Sequence, residues 1–444
     1  SHSFSRYDNG HLNKDGVHMV CGLDSEYALA VDGALGGNKR RNQTPVLPEI
    51  EPMTEDSISE DWRALWGMSK VVLTKKRWSK LDMGQRKALR QYVHAGGDVI
   101  LTGKSDYRGL LGLNFSEELK SRRSVRIGLG TFSFQESSEP KDVAKIVRWA
   151  GPYTIDGVES IGIMGEVDRF VSGSFGYFAT LILFLILVGP VNLGFFCRGR
   201  KRYLIFVTTP LIVIAFVGSS LLYTVFKDGV GGSGKTYRMS VFEPKEKQVV
   251  RMQAQTSIVG MKMARGFELP GNAHFSLLKD LGAGGGKYGR GNGEYWGDWF
   301  KSRASQAHLI VSIEPSREEI RIERTSVGEG LIAKSRIKGT LTPFVYRDEH
   351  QDWWYLESLS LGEKKEMRKM DRKEVDNVFS GISDGKAEKL FAEFAHRSRA
   401  NPHHFFGGLS QETFEGFDTL GSLEWRNVTH LATGSCVLEE KGGS

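Results

Sequence analysis

Apolar and polar positions follow three different rhythms along this chain, and each rhythm predicts a different kind of element. Between Asp61 and Gly103, Val71-Val72-Leu73 reads as a short buried strand, while Leu81, Ala88, Leu89, Tyr92 and Val93 recur at helical spacing. Gly96-Gly97 stops that helix and Val99-Ile100-Leu101 begins another strand, so the unit predicts parallel neighbours. Val125, Ile127 and Leu129 alternate, Phe132 and Phe134 follow, and Val143, Ile146, Val147 and Ala150 predict a closing amphipathic helix. The expectation for residues 1–170 is an α/β domain, with an irregular part to about residue 55.

The rhythm then disappears. Gly176 to Cys197 and Tyr203 to Phe226 contain no Asp, Glu, Lys or Arg. As helices, both match the roughly 20 residues that cross a ~30 Å hydrocarbon core. A two-helix transmembrane hairpin over 176–226 (176–197 and 203–226) is therefore expected, with Pro190 and Pro210 inside it. From Lys235 onward, His308 to Ile313, Ile320 to Ile322, Leu341 to Tyr346 and Trp353 to Leu359 are short runs rich in branched and aromatic residues. Residues 227–444 are expected to form a β-rich, sandwich-like domain carrying a helix at Lys386 to His396. Gly282 to Gly293, with seven glycines, reads as a mobile loop.

Charge turns the hairpin into a topology. Arg198, Arg200, Lys201 and Arg202 cluster at its tip and place that tip in the cytoplasm. Both large segments then lie outside, and the expected location is the cell (inner) membrane, multi-pass, with the lipid bilayer and other membrane or envelope proteins as partners. Such an arrangement needs an export signal, yet the chain opens with Ser1-His2-Ser3-Phe4, which reads as a processed or truncated start. The formal net charge is +7, and without the four tip residues 7 − 4 = +3 remains, dispersed among acids. That excludes a nucleic-acid signature. Cys21, Cys197 and Cys436 form no framework and no CxxC pair, leaving Cys21 with Cys436 as the one bridge to consider outside the cell.

The run Trp62-Arg63-Ala64-Leu65, Val71-Val72-Leu73, Leu81, Gln85 to Val93 and Gly96-Gly97 resembles the class I glutamine-amidotransferase-like (flavodoxin-like) domain of largely uncharacterised bacterial membrane proteins. The resemblance continues through Gly128-Leu129-Gly130, Gly189-Pro190-Val191-Asn192 and Thr209-Pro210, covering about residues 48 to 230. It implies an amidotransferase-like fold. Active members carry a nucleophilic Cys at a sharp turn after a strand. Here the turn reads Gly103-Lys104-Ser105-Asp106-Tyr107 and holds no Cys, while Cys21 lies upstream without the elbow glycine. A structural turn is the expectation, and no catalytic residue or cofactor is assigned.

Gly229 to Thr236 fits G-x-x-x-x-G-K-[ST] residue for residue. A phosphate-binding loop needs a strand before it and a helix after it, whereas Tyr237 to Phe242 alternates like a strand, so the motif reads as a glycine-rich exit linker. Tyr295, Trp296 and Trp299, and later Trp353 and Trp354, form two aromatic clusters and make a candidate ligand surface against the alternative of core packing. His396, His403 and His404 lack acids at ligand spacing. The functional expectation is a membrane-anchored extracytoplasmic binding or scaffolding component of a bacterial envelope assembly, without catalysis. An envelope hydrolase or amidase using Ser105 or Cys21 with His94 is the alternative, and nucleotide binding ranks third.

Overall fold

The computed structural model describes residues 20–24, 49–53, 58–66, 68, 70–103, 124–136, 139–148, 174–196, 203–228, 231–261, 266–280, 287–291, 293–302, 304–325, 330–382, 402–410, 416–421 and 423–439. The first unit is a six-stranded sheet in the order β2 (Glu49–Met53), β1 (Val20–Asp24), β3 (Lys70–Thr74), β4 (Asp98–Thr102), β6 (Gly130–Gln135), β5 (Ser124–Ile127). All its pairs are parallel except β5 with β6. Helices α1 (Lys75–Lys80), α2 (Met83–His94) and α3 (Pro140–Arg148) accompany it. A capping box starts α2: Asp82 Oδ1 accepts from Gln85 N at 2.7 Å and Gln85 Oε1 accepts from Asp82 N at 3.1 Å, so two N–H groups that the first turn cannot satisfy are bonded. Its apolar stripe, Ala88, Leu89, Tyr92 and Val93, is fully buried. The strand–helix–strand expectation thus holds locally, with Val71 to Leu73 opposite Val99 to Leu101.

A ten-stranded sheet forms the body of the molecule. Its order is β10 (Ala273–Asp280), β13 (Ser305–Pro315), β8 (Gln248–Met261), β7 (Gly231–Glu243), β22 (Leu423–Ser435), β21 (His404–Leu409), β16 (Thr340–Arg347), β17 (Trp353–Leu356), β20 (Arg368–Met370), with β18 (Leu359–Ser360) also on β16. Two smaller sheets join it. One has the order β11 (Tyr288–Gly291), β12 (Glu294–Gly297), β9 (Gly266–Glu268); the other β19 (Lys364–Glu366), β15 (Leu331–Ser335), β14 (Ile320–Arg324), β23 (Val437–Glu439). Ile320, Ile322 and Ala333 of the four-stranded sheet share one buried apolar layer with Phe242, Phe344, Tyr346 and Phe405 of the large sheet, an arrangement compatible with a β-sandwich.

The expected fold class needs correction. Strands make up 48% of the described residues, and the molecule is mostly β, not an amidotransferase-like α/β domain followed by a membrane hairpin and a separate β domain. The parallel sheet does not close a core of its own. Leu73, Leu101 and Phe132 belong to the same buried cluster as Tyr237, Met239, Val250, Met252 and Val311 of the large sheet. Apolar alternation on β7 and β8 is therefore satisfied by the other unit.

The transmembrane hairpin and the multi-pass inner-membrane location are corrected as well. Among the described residues no helix is long and apolar enough to cross a membrane. The first apolar stretch divides into α4 (Ser174–Ile186) and a π-helical segment, Leu187–Phe196, with Pro190 inside it. Proline removes an N–H from the helical ladder and its ring clashes with the preceding turn, which favours such a break. Helix α5 (Ile205–Asp228) returns beside it, with side chains described to Ser220. Arg198, Arg200, Lys201 and Arg202, on which the topology rested, lie outside the described residues, as do Ser105, His396 and the helix expected at Lys386 to His396. A helix absent from the sequence reading, α6 (Arg372–Ile382), closes the list.

Candidate functional site

The hairpin is where the structure departs most from an ordinary folded surface. Outward on α4 stand Leu181, Ile182, Leu183, Leu185 and Ile186, five of six successive positions, and Leu193 follows on the π-helical segment. Successive helical positions are 100° apart, so this exposure covers more than half of the helix circumference and is wider than a single stripe. On α5, Phe206, Val207, Leu211, Ile214 and Val217 are exposed likewise, Phe206 at 82%. The two helices meet through a polar clamp. Asn192, fully buried, donates from Nδ2 to Thr209 Oγ1 at 2.9 Å and accepts at Oδ1 from Thr208 Oγ1 at 2.7 Å, and Phe184 packs on Phe216 with centroids 4.9 Å apart. An amide bonded at both ends inside an apolar pair fixes the register of the two helices.

Inside the large sheet, polar residues line the face opposite the apolar one. Arg238, Ser240, Gln253, Gln255, His308 and His430 are all buried there. A segment, residues 416–421, crosses this face and explains the burial: Gln253 Oε1 accepts from Phe417 N at 2.9 Å, its Nε2 donates to Phe417 O at 2.9 Å, and Gln255 Nε2 donates to Thr419 Oγ1 at 3.1 Å. One contact resembles a catalytic dyad, Ser240 Oγ within 3.0 Å of His430 Nε2. It lacks the chemistry. Burial, aided by the positive Arg238 and Arg251, holds His430 down to about 3, too weak a base to activate a hydroxyl at neutral pH. Both groups are also shut away from substrate.

The junction between the two units carries a second polar group. Trp62 and Trp66 pack on His274 with centroids at 6.2 and 5.0 Å, Arg63 donates to Gly271 O, and Arg290 Nη1 lies 3.2 Å from His274 Nδ1. Burial and the two guanidinium groups keep His274 neutral, near 3. On the far side, Gly128 N donates to Glu243 Oε1 at 3.1 Å, and burial pushes that carboxyl up to about 7. His94, named for the hydrolase alternative, is buried and held down to about 4 by desolvation and Arg90.

The residues singled out in the sequence scatter. Tyr295 and Trp354 are buried, Trp299 and Trp353 are partly buried, and Trp296 is exposed. Trp299 Nε1 donates to Gly289 O at 3.0 Å, Trp354 Nε1 donates to Asp348 Oδ2 at 2.9 Å, and the Arg347 guanidinium lies 5.3 Å over Trp353. The two clusters therefore do not converge on one surface. Gly231 to Thr236 is not a linker: it opens β7, with Lys235 opposite Thr256 and Thr236 opposite Gln255, in a strand and not before a helix. The seven-glycine stretch ends in strand, since Gly289 and Gly291 belong to β11. His403 receives or gives a bond with Tyr346 at 3.1 Å, and His404 Nδ1 donates to Pro402 O. No group of three or more metal-ligating side chains occurs among the described residues. Cys436 is a free, buried thiol.

No family model matches the chain, and no curated protein does. Twelve chains of solved structures match. One is the yeast delta-COP-I mu-homology domain complexed with Dsl1 WxWxV peptide, 4% identical, covering 47% of this chain and 98% of that one with a TM-score of 0.25. A score that low carries no conclusion about fold or partner. The resemblance to amidotransferase-like membrane proteins finds no counterpart among these matches.

Proposed function

We propose that this protein is a non-catalytic binding or scaffolding protein that seats its helical hairpin in lipid and presents its strand-rich body to a partner. The observation that carries the reading is the exposure of large apolar side chains over more than half of the circumference of α4, continued by a broad exposed apolar face on α5. A protein groove covers one stripe of a helix, whereas acyl chains cover every side alike, and an exposed apolar area this continuous marks an interaction surface. The basic residues between the helices, Arg198, Arg200, Lys201 and Arg202, suit anionic headgroups by charge. What is proposed is lipid contact, which insertion without passage satisfies. A non-catalytic role is supported by the buried, weakly basic His94, His274 and His430, none of which faces an open cleft beside a nucleophile among the described residues.

Vesicle flotation of the purified chain tests this. The chain is expected to float with phosphatidylcholine vesicles containing phosphatidylserine. Leu185→Asp with Ile214→Asp, at positions 60% and 68% exposed, is expected to shift it to the dense fraction without unfolding the strand-rich body. A wild-type chain that stays monodisperse in detergent-free buffer and never floats would overturn the reading.

A further inference from the structure

We infer that the outer face of the three-stranded sheet is a docking site for arginine side chains of a basic peptide, built from Trp296, Glu268 and Glu294. Trp296 sits on the middle strand with Gly289 and Gly266 as its two cross-strand neighbours. No side chain crowds it from either strand. A Cβ on Gly289 would fall 2.0 Å from the indole Nε1, and one on Gly291 would fall 3.3 Å from its Cη2, so the ring lies flat along β11 over two glycines. Its inner face is sealed against peptide, and its outer face remains open at 48% exposure.

The underside makes this platform rigid. Tyr295 stacks on Phe267 with centroids 5.2 Å apart and 5° between planes, Phe275 and Phe300 pack edgewise or tilted around them, and Trp299 pins Gly289 from below. An indole held in place loses little conformational entropy when a second planar group stacks on it.

Shielding of glycine backbone by a cross-strand aromatic accounts for the inner face of Trp296. It leaves the carboxylates unexplained. Glu294 is directly opposite Glu268, both are exposed, and both point to the same face as Trp296 by the two-residue alternation of strands. Like charges directly opposite destabilise a sheet. Among the described residues neither has an ion-pair partner, and Arg290 projects to the other face, over the Tyr295 ring at 5.7 Å and toward His274. Two uncompensated negative charges beside an open indole complement a cation. A guanidinium fits best, since it stacks on the ring and forks onto a carboxylate at once, which a compact ammonium does not. A neutral sugar would use the indole and gain nothing from the paired charge.

The site is independent of the lipid reading and is tested on the full chain in detergent micelles. Anisotropy of a fluorescent peptide with two arginines in a glycine background should show saturable binding that weakens with added salt. Glu268→Gln and Glu294→Gln, which each remove a charge, and Trp296→Leu, which removes the stacking face, should each weaken binding by about tenfold, or about 1.4 kcal/mol. The leucine keeps the glycines covered, and circular dichroism checks that each variant is folded. Replacing arginine with citrulline should abolish binding. Absent binding of the arginine peptide overturns the proposal, as does binding indifferent to the three substitutions. Saturable binding of a neutral oligosaccharide lost in Trp296→Leu but kept in both Gln variants would show a sugar platform instead and overturn it equally.

Discussion

Glu243 shows how little of a residue's chemistry is written in its type. It ends a strand as an ordinary surface acid would, yet the parallel-sheet unit covers it and leaves Gly128 N–H as the bond that favours its charged form. Its folded value near 7 lies above the ordinary 4.5, so between those values the native state keeps a proton that the unfolded chain releases. The stabilising contribution is complete below about pH 4.5 and is lost as pH rises toward 7. Buried His94, His274 and His430 run the other way, staying neutral while the unfolded imidazoles charge, so they weaken the fold as pH falls below 6.5. Subtracting wild-type from Glu243→Gln stability removes the histidines from the comparison. The difference, from urea unfolding at a series of pH values, should grow in favour of Gln from pH 4.5 to 7; a flat difference would refute the carboxyl's placement. The aromatic residues make the same point. Tyr295, Trp296 and Trp299 are neighbours in sequence, but strand alternation sends Tyr295 into the core and Trp296 out, and the glycines that make room for its ring come from another strand.

At the scale of elements, the segment at 416–421 decides whether a polar sheet face is wet or dry. In sequence, Arg251, Gln253, Gln255 and Ser257 alternate with apolar residues as a solvated face does. Gln253 instead mimics a strand's backbone, bonding both the N–H and the C=O of Phe417. Gln253→Ala removes both of these buried bonds to Phe417, at a cost of about 1–3 kcal/mol. Amide exchange at Phe417 is expected to accelerate by about tenfold or more while Leu431 in the sheet holds its protection; equal rates at Phe417 would show that the segment is held elsewhere. The hairpin is a similar case. Its existence is legible in two charge-free stretches, but its clamp of Asn192 with Thr208 and Thr209 pairs residues 16 and 17 positions apart, and the π-helical turn around Pro190 has no signature in hydropathy.

For the whole molecule, the shared core is the consequential feature. Leu73, Leu89 and Phe132 of the parallel-sheet unit lie in one buried cluster with Met239, Met252 and Leu309 of the large sheet, so neither unit buries its apolar face alone. Differential scanning calorimetry of the full chain in mild detergent should therefore give one transition for the two sheet units, with matching calorimetric and van't Hoff enthalpies. Two resolved transitions would show the units to be separate domains joined by a weak interface.

Local rhythm by itself determined the parallel β3–β4 pair, the helix between them and the strands at His308 to Ile313, Ile320 to Ile322 and Leu341 to Tyr346, because periodicity and capping act within a few residues, while the helical hairpin was legible only as two stretches without charge. Tertiary structure decided the rest: that Gly231 to Thr236 pairs as a strand, that the two units share one core, that Ser240 and His430 meet where no substrate reaches, and that two glutamates face each other beside a flat indole. Those outcomes depend on which strands become neighbours. Strand order joins β7 to β22 across nearly 200 residues, and no local pattern of apolar and polar positions encodes a pairing at that distance.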